Sequence, residues 1–436
     1  MQVSVETIGG LERRLTIGIP VEKIDTEVNA RLQKAAPNVR LAGFRPGKVP
    51  LKVVRQRFGA GVRQEVLGEL MNQTFYEAVE QEDIKPAGRP NIATKTDEQG
   101  FDFEYTATFE VYPEIGLTDL SQFKVTRAVA EVTDEDVDDT ILKLREQHGE
   151  WEPVERAAQE GDQVVIDYNG TKDGEPFDGG AAENSSLDLG SKRMIPGFED
   201  GIAGMQVGDE KTLELSFPED YHAEELKGAA VEFKVKLNEV REHHAAELDD
   251  ALFEKLGVTE GGEEQFRKEV RENMDRELAS AITANVKSQV MEALINAHDV
   301  QIPAALLSGE IDTLRQQSLQ QFGAAAEQFD ASLLPDELFN EQAQRRVKLG
   351  LILGEVIKQK DIKPNAEKVR TMIEDMAATY ESPEEVINWH YSDQERLASV
   401  EAAALEEQVV DEILEVATVD EKSCSYQEAL QAQQQQ

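Results

Sequence analysis

Between positions 266 and 294 an apolar side chain returns at every fourth residue: Phe266, Val270, Met274, Leu278, Ile282, Val286, Val290 and Leu294. A helix advances about 100° per residue, so each four-residue step carries this stripe about 40° further round the axis. Over seven steps it travels most of the way round. A bundle helix with one straight seam cannot satisfy such a stripe. The segment must be one long helix that meets different neighbours along its length. It marks residues 246–430 as a helical domain, with further helices expected over 304–322, 337–358, 365–379 and 393–417. Val347, Gly350, Leu351 and Gly354 give one of these a small-residue face. The tail, residues 431–436, ends in four glutamines and reads as disordered.

The rest of the chain has other periods. Its 436 residues suggest about three domains. In residues 1–112, Leu15-Thr16-Ile17-Gly18-Ile19 reads as a strand and residues 25–35 as a helix, with Ile24 and Val28 on one face. Residues 51–80 are helical again, with Val53, Val54, Phe58, Val62, Leu67, Leu70 and Met71 apolar. From Phe101 to Val111 polar and apolar residues alternate without a break, as in a strand with one buried face. Residues 113–150 read as a connector, in which Thr133 and Asp136 form a capping-box entry to a helix carrying Val137, Ile141 and Leu144. Residues 151–245 hold short strands at 164–168, 211–217 and 231–237 between Gly-rich turns. The expected fold is therefore multidomain α+β: an N-terminal α+β domain, a compact, mainly β domain and a large all-α C-terminal domain.

Composition removes several classes of function. The single cysteine, Cys424, allows neither an internal disulfide nor a cysteine-based zinc site. The start, Met1-Gln2-Val3-Ser4-Val5-Glu6, lacks the basic and apolar regions of a signal peptide. The densest late apolar patch, residues 349–353, is far too short to span a bilayer. A cytoplasmic protein with no membrane contact is expected. His243 and His244 are adjacent, and no third ligand accompanies them, so no metal site is assigned. No phosphate loop, nucleophile elbow or dinucleotide fingerprint occurs, and no cofactor is expected.

Net charge is −42, which argues against general nucleic-acid binding. Its distribution is uneven. Residues 28–64 contain no Asp or Glu but hold Arg31, Lys34, Arg40, Arg45, Lys48, Lys52, Arg55, Arg57 and Arg63. Such an island directs one end of an acidic chain toward a polyanion. At its centre lies Gly43-Phe44-Arg45-Pro46-Gly47-Lys48, where glycines and proline shape a turn. On these residues alone two arrangements stand open. The loop either projects Phe44 between two cations as an interface anchor, or is a plain helix–loop–helix turn with Phe44 in the core.

The β domain carries an ordered series of motifs: Asp167-Tyr168-Asn169-Gly170, Pro176-Phe177-Asp178-Gly179-Gly180, Met194-Ile195-Pro196-Gly197-Phe198-Glu199, Phe217-Pro218-Glu219-Asp220-Tyr221 and Val231-Glu232-Phe233. Taken singly, each aromatic is as well explained by ordinary core packing. In this order they resemble the FKBP family of peptidyl-prolyl isomerases over nearly the whole segment, which implies an antiparallel β-sheet/helix fold for it. The resemblance implies a pocket lined by Tyr168, Phe177, Met194, Ile195, Phe198 and Phe233, with Asp178 at its rim and Tyr221 in the family's P-D-Y segment. Ala223 and Ser185 stand where further aromatics are usual. The chemistry suits such a pocket. Rotation about an X–Pro bond is resisted by about 20 kcal/mol of lost amide resonance, and a dry aromatic site can favour the twisted amide without nucleophile or metal.

The whole chain resembles the trigger factor family of bacterial ribosome-bound chaperones. Its signature G-F-R-x-G-K-x-P is matched by Gly43-Phe44-Arg45-Pro46-Gly47-Lys48-Val49-Pro50, with Pro46 at an often basic position. Domain order agrees as well. The resemblance implies docking through Phe44, Arg45, Pro46, Gly47 and Lys48 on a ribosomal protein and adjoining rRNA beside the exit tunnel. It also implies extended helical arms around nascent and unfolded polypeptides. Homodimerisation away from the ribosome stays open. Two readings in other classes remain: a dedicated prolyl isomerase whose flanking helices only dimerise or recruit it, and an acidic periplasmic chaperone, which the missing signal peptide opposes.

Overall fold

The computed structural model describes residues 2–39, 41, 44, 49–98, 100–221, 223–224, 226–321, 334–378, 380 and 382–434. The chain divides into two compact units, one formed by residues 1–127 and 285–421 and the other by residues 128–284 and 422–436.

The first unit opens with β1 (Gln2–Gly9) and β2 (Glu12–Ile19), followed by α1 (Val21–Ala35), α2 (Leu51–Gln81), β3 (Asn91–Thr96) and β4 (Phe103–Glu110). The four strands form an antiparallel sheet in the order β1-β2-β4-β3. In β4 burial alternates residue by residue, with Phe103, Tyr105, Ala107 and Phe109 inside. Helices α1 and α2 close that face with Ile24, Val28, Leu32, Leu67, Leu70 and Phe75. Two hydroxyls enter this core and both are satisfied. Tyr105 OH donates to the Met71 carbonyl at 2.9 Å and lies 2.9 Å from Thr74 Oγ1, which is 2.6 Å from the Leu70 carbonyl. Burial pushes the Tyr105 phenol up to about 12. Edge strands β1 and β3 bury almost nothing, so their sequences show little of the pattern that marks β2 and β4.

The second unit begins within β5 (Lys124–Val129), and its first helix is α3 (Asp134–Gln147). Its capping box is reciprocal. The Asp136 N–H donates to Thr133 Oγ1 at 3.2 Å, and the Thr133 N–H donates to the Asp136 carboxylate at 2.9 Å. Next come β6 (Glu150–Pro153), β7 (Gln163–Lys172), β8 (Glu175–Asp188), α4 (Phe198–Ile202), β9 (Glu210–Ser216), β10 (Ala230–His244) and α5 (Asp250–Lys255). Strand β10 is the axis of this antiparallel sheet. It pairs with β7 along one edge and with β9 and then β6 along the other, and β8 pairs with the far edge of β7. Its inward residues, Val231, Phe233, Val235 and Leu237, meet Ile166, Phe198, Ile202 and Leu213 in one core.

Helix α6 (Gly262–Ala297) is 36 residues long and carries the winding stripe. The stripe serves two cores. Phe266, Val270, Met274 and Leu278 pack with Val137, Ile141 and Tyr426, whereas Val286, Val290 and Leu294 pack with Leu120, Phe123, Val125 and Ile352. Then follow α7 (Ala304–Gln321), α8 (Glu337–Lys360), α9 (Ala366–Ala377), α10 (Pro383–Tyr391), α11 (Gln394–Val416), β11 (Thr418–Ser423) and α12 (Tyr426–Gln434). Among its described residues the helical domain thus contains one strand. Thr418 and Val419 suit an extended backbone, and β11 pairs with β5. Helix α12 continues to Gln434, through most of the tail expected to lack structure. It is held by buried Tyr426 and Ala429 and by the Tyr426 hydroxyl, which donates to Glu277 at 2.8 Å. The small-residue face on α8 marks no close contact, because a Cβ at Gly350 or Gly354 meets nothing within 4 Å. No helix among the described residues is long and apolar enough to cross a membrane.

Candidate functional site

A cleft of about 870 Å³ opens on the β10 sheet. Tyr168 reaches it from β7, Phe177 and Asp178 from β8, Phe233 from β10, and Met194 and Ile195 from the loop before α4. Phe233 is the hub of the aromatic set. Its ring centroid lies 5.2 Å from Phe198, 5.9 Å from Phe177 and 6.1 Å from Tyr168, the first two edge to face. Such edge-to-face contacts are favourable because positive ring edges meet negative faces. The rings approach this closely because of Gly170 in β7. A Cβ there would stand 2.5 Å from the Phe233 ring and 2.9 Å from Phe177.

The residues expected from sequence fall into two layers. Tyr168, Phe177, Asp178, Met194, Ile195, Tyr221 and Phe233 all line the cleft. Asp178 is exposed, at the rim. Phe198, expected in the lining, lies deeper. It is 0% exposed, because the tight turn at Gly197 (φ 87°) starts α4 with this ring pointing into the core. Phe198 supports the floor through Tyr168 and Phe233 instead of facing the opening. Phe217, not among the residues expected from sequence, also lines the cleft. It completes the wall, with its ring centroid 4.6 Å from Tyr221 at a tilt and 5.8 Å from Phe177 edge to face. Its signal was its place directly before Pro218-Glu219-Asp220-Tyr221. Ala223 also lines the cleft, so the missing aromatic leaves the rim wider there. The arrangement can hold a small apolar ring against aromatic walls, with a carboxylate at one edge.

A separate depression of about 750 Å³ is lined by Asp167, Glu183, Glu210, Lys211, Lys234 and Lys236. Its charges of both signs and its lack of converging aromatics give it none of this chemistry.

In the N-terminal domain Phe44 is 41% exposed, so it is not tucked into the core. Arg45, Pro46, Gly47 and Lys48 lie outside the described residues. Leu51 and Phe58, one heptad apart on the first turns of α2, are also exposed, and they lie in the acid-free window with Phe44. The window is less cationic in space than in sequence. Glu69 takes Arg31 in a two-point pair at 2.9 and 2.6 Å, and Asp97 pairs with Arg63. Among the described residues, Lys34, Lys52, Arg55 and Arg57 have no acidic partner, and Arg55 is held by the Asn29 side chain.

Three segments match known families in order. Residues 1–144 match the bacterial trigger factor protein, residues 154–238 the FKBP-type peptidyl-prolyl cis-trans isomerase, and residues 264–415 the bacterial trigger factor C-terminus. The trigger factor of Cellvibrio japonicus is 55% identical over 436 residues, covering all of both chains. This chain belongs to the trigger factor family. The trigger factor of Saccharophagus degradans is 53% identical over 99% of this chain and 98% of its own, and that of Teredinibacter turnerae is 52% identical over 100% and 99%. A trigger factor is a chaperone that carries an FKBP-type isomerase domain. All eight cleft residues expected from sequence fall inside the isomerase match, and Phe44 falls inside the N-terminal match.

Proposed function

We propose that this chaperone docks beside the ribosomal exit tunnel through Phe44, Arg45, Pro46, Gly47 and Lys48, on a ribosomal protein and adjoining rRNA. It works in the cytoplasm and shelters nascent and unfolded chains with the helical domain, residues 246–430. X–Pro bonds isomerise in the cleft of residues 151–245. The observation that carries the docking is the exposed Phe44 at the centre of a segment without acids, on a chain of charge −42. An exposed aromatic between cations suits an interface of protein and phosphate. Away from the ribosome, Phe44, Leu51 and Phe58 offer an apolar surface on which two copies can pair.

In the cleft, Tyr168, Phe177, Phe217 and Phe233 hold the proline ring away from water. A planar amide is more polar than a twisted one, so a dry aromatic wall favours the twisted state. Asp178 at the rim accepts from the substrate backbone and fixes its direction. The reaction makes and breaks no covalent bond.

The test is co-sedimentation with ribosomes of wild type and of Phe44→Ala/Arg45→Ala/Lys48→Ala. Wild type should pellet with ribosomes and the triple variant should stay in the supernatant. Equal pelleting would refute the docking segment.

A further inference from the structure

The wall of the cleft that carries Met194 and Ile195 has no secondary structure of its own between β8 and α4. It is held from within by one side chain. Glu199 Oε2 accepts the N–H of Gly190 at 2.8 Å and of Lys192 at 3.2 Å. Its Oε1 accepts the N–H of Arg193 at 3.1 Å and of Met194 at 3.4 Å, and the Ser191 hydroxyl at 3.2 Å. Five donors from five consecutive residues thus converge on one carboxylate. The backbone needs such a clamp. Gly190 has φ 98°, and Lys192 has φ 57°, a left-handed conformation that a side chain disfavours. Burial pushes the Glu199 carboxyl up, but the backbone bonds from Lys192, Gly190 and Met194 outweigh it and hold it below the ordinary carboxylate range. The charged form is the one this loop is built around.

We infer that Glu199 is a positioning residue for the isomerase: its carboxylate folds residues 190–194 into the wall that places Met194 and Ile195 against the substrate's proline. The inference rests on the isomerase reading of the cleft. Glu199 does not touch substrate in this role and adds no step to the reaction. It acts on affinity. A slack wall weakens ground state and transition state alike, so the loss belongs in KM. General destabilisation would instead lower the active fraction, and with it kcat, leaving KM unchanged.

The experiment uses the full chain with Glu199→Gln, which keeps the length but puts an NH₂ where an oxygen now accepts N–H groups. Turnover of a short proline peptide and amide hydrogen exchange are read together. Wild type should turn the peptide over, and failure there refutes the isomerase reading and not the clamp. In the variant KM should rise about tenfold, since small misplacements of a binding wall are felt strongly. Exchange should quicken at Gly190, Lys192, Arg193 and Met194 while β7 and β10 stay protected. Slow exchange in the loop, or fast exchange with unchanged KM, would overturn the inference. If β7 and β10 lose protection too, Glu199→Asp carries the test. It keeps the charge but falls short of the loop, and the same split between KM and kcat decides.

Discussion

Phe198 and Phe233 meet edge to face, with centroids 5.2 Å apart and planes at 90°, yet only Phe233 reaches the cleft. Phe198 is the support beneath it. Phe198→Ala should therefore destabilise the isomerase domain by about 3–5 kcal/mol, as removal of a buried ring does, and turnover should fall because the domain opens. Phe177 is half-buried in the wall itself. Phe177→Ala should cost only about 1–2 kcal/mol of stability while lowering kcat/KM at least about tenfold. Thermal unfolding and proline-peptide turnover on both variants separate the two roles. Equal loss of stability in both would show that the layers are not distinct.

Gly170 gives a second handle on the same rings. A Cβ there would sit 2.5 Å from Phe233, so Gly170→Ala must push that ring into the cleft or bend β7. Overpacking of this kind costs about 1–3 kcal/mol. Turnover should fall in parallel, and a near-ultraviolet circular dichroism change should report the displaced rings. An unperturbed spectrum with full activity would mean that the contact relaxes freely.

Much of this was legible in the sequence, because local period and local burial agree. The alternation from Phe101 to Val111 became β4 with a strictly alternating face, and the four-residue stripe became α6. Thr133 and Asp136 formed the expected capping box. Pairings between distant parts of the chain were not legible. Strand β5 finds β11 at the other end of the chain, and neither is apolar enough to announce itself. The acid-free window was real in sequence, but Glu69 and Asp97 fold back onto it. At the site, motif order selected the ring-bearing residues. It could not tell which ring faces outward, because that depends on the turn at Gly197 and on strands packed above it.

The first turns of α2 supply a prediction for docking. Leu51 and Phe58 are 37% and 41% exposed, so replacing both with alanine should change stability by less than about 0.5 kcal/mol each. If they share the docking surface with Phe44, co-sedimentation with ribosomes should weaken without loss of folding. Binding should also fall as salt rises, because part of the contact is cation to phosphate. Salt-independent binding that survives Leu51→Ala/Phe58→Ala would place the contact elsewhere.

Asp162 makes a prediction about acid. Its carboxylate is nearly fully buried and takes Arg156 at 2.6 and 2.9 Å and the Gln159 N–H at 2.8 Å. Burial pushes this carboxyl up, but the bonds from Arg156 and Gln159 outweigh it and hold it below its ordinary value. The unfolded chain, with a carboxyl near its ordinary value of about 3.9, therefore binds the proton more readily than the folded one. Stability from this group is fully present above that value and is lost as pH falls through the lower folded value. Asp162→Asn should reduce stability near neutral pH by about 1–3 kcal/mol, the cost of removing the charge and putting an NH₂ donor where one oxygen accepts from the Gln159 N–H or the Arg156 guanidinium. The difference from wild type should shrink as the pH drops below about 4. Trp151 in β6 reports on this unit, and Trp389→Phe leaves it as the only tryptophan. Urea melts followed by its fluorescence at pH 7, 5 and 3.5 make the comparison. A difference that does not shrink at pH 3.5 would show that folding does not hold this carboxyl below its ordinary value.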